Sequence, residues 1–140
     1  MLKGIPKIIT PELLKVLCEM GHGDEIVISD GNFPGNSIGK QIIRYDAIGV
    51  PQLLKAVLEL IPLDSYADNV FLMDKTESDK NLNIPIWEEY KAIVAEHTEK
   101  PPVFLERFEF YERAKKAYAV VVTGEEAIYA NIILKKGVVK

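Results

Sequence analysis

Short runs of β-branched and aliphatic residues alternate along this chain with stretches of helical apolar spacing, and prolines and glycines punctuate the junctions. That alternation restricts the fold more than any other feature. Strands of four or five residues interleaved with helices favour an α/β layered domain, with helices packed on a central β-sheet. Thr10 and Pro11 open a helix whose Leu13, Leu14, Leu17 and Met20 form an inward stripe, and Gly21 ends it. Cys18 lies in the same apolar pattern and is expected to pack inside. Residues 25–29 read as a strand, 31–39 as a glycine-rich loop and 41–45 as a second strand. Leu53, Leu54, Val57, Leu58 and Ile61 form a helix that stops at Pro62. Residues 70–73 are a strand, the polar run 74–83 an exposed loop, and Pro85 opens a helix through Val94. Residues 103–105 are extended and 108–116 helical. Two β-branched strands, 118–122 and 129–134, complete the alternation.

The 140 residues fit one domain, 1–140, large enough to bury a core without a metal or disulfide staple. With 48% hydrophobic residues and a net charge of only −4, the chain is not a disordered one. One cysteine excludes a disulfide framework. The longest apolar stretches are roughly half the length of a transmembrane helix. An acidic surplus of 21 against 17 basic residues argues against a general nucleic-acid binder. Pro6 and Pro11 interrupt any signal-type apolar segment at the amino terminus, so a cytosolic protein with a reduced thiol is expected.

Chemistry has few places to reside. His97 ends a helical pattern beside Glu96 and Thr98 and reads as a solvated helix end. His22 sits between Gly21 and Gly23, where the backbone turns freely and the ring stays accessible. Imidazole can donate and accept protons near neutral pH, so His22 is either a helix-end residue or a proton carrier. Asp30 follows an apolar strand and opens the glycine-rich loop, where it serves either as a turn former or as a ligand-binding carboxylate. That loop matches neither the phosphate-cradling nor the dinucleotide glycine pattern. Neither histidine lies in H-E-x-x-H, and one cysteine cannot build a thiolate zinc site. No G-x-S-x-G elbow is present. Proton carriers and hydrogen-bonding groups remain, suited to a reaction without cofactor or covalent intermediate. Arg107 is free for a ligand or a surface ion pair. Tyr129 and Asn131 share a face if their segment is extended, and both can bond a polyol; core packing accounts for Tyr129 equally well.

Taken together, several blocks in order resemble the sugar mutarotase family that includes fucose mutarotase and ribose pyranase. They are Met20-Gly21-His22-Gly23-Asp24-Glu25-Ile26, Asp30 with Asn32-Phe33-Pro34, Pro62-Leu63-Asp64-Ser65-Tyr66, the run from Arg107 to Ala117, Thr123-Gly124-Glu125 and Tyr129-Ala130-Asn131. The resemblance implies that His22 is the catalytic proton donor and that Asp30, Arg107, Tyr129, Ala130 and Asn131 bind the sugar. It implies anomer interconversion of a free monosaccharide, L-fucose first, with no cofactor and no metal. Arg107-Phe108 and Asn32-Phe33-Pro34 point to the fucose branch. Ala130, where fucose-type members carry glycine, matches the ribose branch, so a pyranose/furanose interconversion of the ribose pyranase type is the alternative. A non-catalytic sugar-binding protein is another. The resemblance further implies a ring-like homodecamer with sites at subunit contacts, and no nucleic-acid or membrane partner.

Overall fold

Chain order in the computed structural model, which describes residues Met1–Lys140, is α1 (Pro11–Glu19), β1 (Glu25–Ser29), α2 (Gly35–Ile38), β2 (Ile42–Tyr45), α3 (Val50–Leu58) and β3 (Val70–Met73). A 3₁₀ turn over Glu77–Asp79 follows, then α4 (Pro85–Ala95), β4 (Val103–Leu105), α5 (Arg107–Lys116), β5 (Ala119–Thr123) and β6 (Ile132–Lys135). The six strands form one sheet in the order β2-β5-β1-β6-β3-β4. Five run parallel, and β6 alone runs antiparallel, to β1 on one side and β3 on the other.

The middle residues of the central strands are apolar because both faces of the sheet are covered. Side chains alternate, so Ile26, Ile28, Val121, Ile132 and Leu134 enter one core, shared with α1, α3 and α4. Val27, Val120, Val122, Ile133 and Phe71 enter a smaller second core under α5, where Phe110 and Ala114 are fully buried. Phe110 meets the edge of Phe33 at 5.9 Å between ring centroids. Local signals set the helix starts: Thr10 Oγ1 accepts the Leu13 N–H at 3.2 Å with Pro11 at the first helical position. Glu106 does the same for α5, its carboxylate accepting the N–H groups of Phe108 and Glu109.

Four local expectations are corrected. Cys18 is exposed: Val16, Leu17 and Met20 take the inward positions, and Cys18 lies about 100° further round the helix from Leu17. The loop 31–39 contains the short helix α2, seated directly on the sheet. Gly35 permits that approach, since a Cβ there would lie 2.5 Å from Val122 Cγ2. The last strand begins at Ile132, and Tyr129 occupies a turn with φ 54°. Finally, the polar run 74–83 is only partly exposed, because Thr76 and Asp79 fold back onto Tyr129. No helix is long and apolar enough to cross a membrane.

Candidate active site

Because β6 is antiparallel to its neighbours, its amino end meets the carboxyl ends of β1 and β3 at one edge of the sheet. Ligands of layered α/β proteins bind outside such strand ends. Here Asp30 leaves β1, Met73 ends β3, Asn131 precedes β6 and Arg107 starts α5 after β4, and they line one open pocket of about 330 Å³. That volume suits a small ligand. Asn32, Phe33, Thr76, Asp79, Tyr111, Ile128 and Tyr129 complete its wall. A larger groove of about 710 Å³ passes Gly23, Glu106 and Phe108, but its lining is charged apart from Gly23 and Phe108.

Asp30 is buried, and its backbone N–H donates to Asn131 Oδ1 at 2.9 Å. That bond fixes the Asn131 amide with its oxygen inward, leaving the NH₂ group to the pocket. Burial pushes the Asp30 carboxyl above its ordinary value, against the N–H groups of Asn32, Phe33 and Ala130 that bond to it and hold it down. A partly desolvated carboxylate in a cleft is the kind of group that sites exploit. Arg107 is exposed at the first position of α5, where a cation opposes the helix dipole. Its Nε donates to Tyr111 Oη at 3.1 Å, and its guanidinium stacks 5.4 Å from both the Phe108 and Tyr111 rings.

The turn carrying Tyr129 is pinned from α4. Trp87 Nε1 donates to the Tyr129 carbonyl at 2.8 Å, and Tyr90 Oη to the Ala130 carbonyl at 2.7 Å. Tyr129 Oη donates to Asp79 Oδ2 at 2.6 Å. Ala130 is fully buried with its methyl in the larger core and takes no part in the pocket wall.

His22 stands elsewhere. It lies beyond the amino end of β1, and the five residues of that strand separate it from Asp30 by roughly 16 Å or more. Gly23, at φ 87°, turns the chain so that its N–H bonds the Lys136 carbonyl at 2.8 Å. About half of the His22 side chain is exposed, 47%. Its Nε2 lies 3.1 Å from Asp64 Oδ1, and its ring is 5.5 Å from that of Tyr66. A carboxylate only accepts, so Nε2 carries the proton in this contact and Nδ1 is left without a partner in the chain. Asp64 is buried, which raises its carboxyl, but the Tyr66 N–H and the imidazole outweigh this and hold it below the ordinary carboxylate value.

The five expected binding residues therefore cluster at one end of the sheet, while His22 is at the other. Sequence reasoning assigned no role to Asp64, Thr76, Asp79, Met73 or Ile128. Asp64 lies in one of the blocks that carried the resemblance; Thr76 and Asp79 sit in a polar run with no periodicity to mark them. No three His, Cys, Asp or Glu side chains come together as a metal-binding group.

Comparison with known proteins agrees with this architecture. The fucose mutarotase of Mus musculus is 57% identical over 143 residues, covering 97% of this chain and 94% of that protein. The fucose mutarotase of Streptococcus pneumoniae, solved in complex with L-fucose, superposes with a TM-score of 0.93 at 49% identity, covering 99% of this chain and 100% of that one. Bacillus subtilis RbsD complexed with D-ribose matches less closely, with a TM-score of 0.78 and 25% identity over the whole of both chains. Residues 3–139 match the RbsD / FucU transport protein family, and the chain belongs to that family.

Proposed function

We propose that this protein is an L-fucose mutarotase, an isomerase that interconverts the α and β anomers of the free sugar. One observation carries the reading: the pocket wall combines polar groups, Asp30, Asn131 and Arg107, with the apolar side chains of Phe33, Met73 and Ile128. A deoxy sugar calls for both kinds of contact, with hydroxyls around its ring and a methyl group on C5. Ribose has no such methyl. The alanine in Tyr129-Ala130-Asn131 does not favour ribose, because its side chain is withdrawn into the core.

The reaction breaks the C1–O5 bond as the anomeric hydroxyl loses a proton and the ring oxygen gains one. Rotation about C1–C2 and reclosure on the other aldehyde face give the second anomer. His22 is the proton-transferring group, with Asp64 holding Nε2–H so that Nδ1 faces the sugar. Asp30 and Asn131 hold hydroxyls, and Arg107 stabilises negative charge developing on oxygen. Acid–base assistance of this kind contributes ~10²–10⁴-fold, sufficient for a reaction that already proceeds in water.

Within one chain His22 does not reach this pocket, so the working site needs the pocket of one copy and the His22 of another. A ring of copies, a decamer by the family resemblance, would supply it. Exposed Phe108 and Ile128 beside the pocket and exposed Tyr66 beside His22 are the apolar surfaces such contacts would cover. A cytosolic setting goes with this reading, since one unpaired thiol suits a reducing compartment. NMR saturation transfer between the two anomeric protons of L-fucose tests it: catalysed exchange is expected, and exchange at the buffer rate would leave only sugar binding.

A further inference from the structure

Hydrogen-bond directions in the pocket resolve into one chain with a single possible polarity. Tyr129 Oη, Thr76 Oγ1 and Ser78 Oγ each own one proton, and Asp79 owns none. Tyr129 Oη is 2.6 Å from Asp79 Oδ2, so the phenol donates there. Thr76 Oγ1, 3.2 Å from the same phenol oxygen, must then donate to it, and Ser78, 3.0 Å from Thr76, must donate in turn. The Thr76 N–H adds a further donor to the phenol at 3.3 Å. Tyr129 is thereby left without a proton to offer a ligand, its oxygen occupied on every side. Its capacity is passed to Asp79, a residue of the pocket wall whose second carboxylate oxygen takes no hydrogen bond from the chain.

We propose that Asp79 is a sugar-recognising residue, receiving a hydroxyl of the bound sugar on its free oxygen while its other oxygen positions Tyr129. The proposal rests on the pocket being the sugar site. It moves hydroxyl recognition from the tyrosine, the residue that the sequence picks out, to a loop carboxylate that it does not. A sugar offers several O–H donors, and a charged acceptor held in place by a tyrosine discriminates among them better than a phenol whose bonds are spent. The 3₁₀ turn that delivers Asp79 is itself anchored, with Lys75 Nζ donating to the carbonyls of Lys80 and Leu82 at 2.9 and 2.8 Å.

The experiment compares the intact protein with Asp79→Asn, Asp79→Ala and Tyr129→Phe. Exchange NMR on L-fucose gives kcat and KM, and the fluorescence of Trp87, the sole tryptophan, gives a Kd that does not depend on turnover. Asp79→Asn keeps an acceptor for Tyr129 but turns an NH₂ group toward the sugar. Expected are a roughly 10–100-fold rise in KM and Kd, the worth of a charged hydrogen bond, and a kcat changed by less than about threefold. Tyr129→Phe should weaken binding less than Asp79→Asn. Among monodeoxy analogues of fucose, one should bind the intact protein and Asp79→Asn equally. An unchanged Kd in Asp79→Asn, a larger loss in Tyr129→Phe, or equal losses for every analogue would overturn the proposal. A protein that binds L-fucose without speeding exchange would sink the mutarotase reading alone, with Kd still deciding Asp79; one that binds no sugar would sink both.

Discussion

His22 and Asp30 stand at the two ends of the same strand, β1, so that no movement of side chains within one chain can bring them to one sugar. The separation turns a catalytic proposal into a statement about assembly. His22→Gln should lower exchange by two orders of magnitude or more, and Asp30→Asn should weaken binding. Mixing the two impaired proteins under conditions that allow chains to exchange should raise activity above that of either alone, because some contacts then join an intact pocket to an intact histidine. Exchange NMR on the mixture measures it, and failure of activity to rise would refute a site shared between copies.

The apolar side of the pocket predicts what the protein prefers. Ile128 is about half exposed, so replacing it with asparagine leaves the core untouched. Ile128→Asn should reduce the preference for L-fucose over the pentose of the same ring configuration by roughly 3–10-fold, in line with burial of one methyl group. Competition between the two sugars in the exchange assay gives the ratio directly.

Acid should act through Asp64. Its carboxyl is held below the ordinary value of 3.8 by the Tyr66 N–H and His22, against the opposing effect of burial. A carboxyl depressed in the folded state contributes stability above its unfolded pKa and loses it as pH falls through the folded value. Asp64→Asn should therefore lower the melting temperature at neutral pH and flatten its fall below about pH 4. Melting curves from pH 2 to 7 for both proteins would show it; parallel curves would refute the contribution.

Beneath the pocket, Phe110 ties α5 to the sheet. It is fully buried between Phe33 and the second core. Phe110→Ala should cost about 3–5 kcal/mol, equivalent to a fall of roughly 10–20 °C in melting temperature. Loosening α5 also frees Arg107, so sugar affinity should fall with it; calorimetry checks both.

Local pattern accounts for much of the molecule. The capped helices, the short apolar-centred strands and the accessible imidazole between two glycines are legible because each depends on neighbours in the chain: proline at a helix start, a β-branched run in a strand, freedom at Gly23. The resemblance carried His22, Asp30 and the Tyr129–Asn131 segment, although the backbone of that segment is a turn rather than the expected strand. The exposure of Cys18 is not legible, because a helical apolar pattern does not specify its outward face until the packing partner is known.

Only the tertiary structure decided what each site residue has to offer. The inversion of β6 brings Asn131 beside Asp30, while the length of β1 holds His22 at the far end, and strand direction is not written in any short segment. Asp79 became visible because a polar loop closed on Tyr129, a long-range contact that composition does not encode. Sequence determined which groups exist; the sheet's topology determined which of them meet, since hydrogen bonds and charges act over a few ångströms of space and not along the chain.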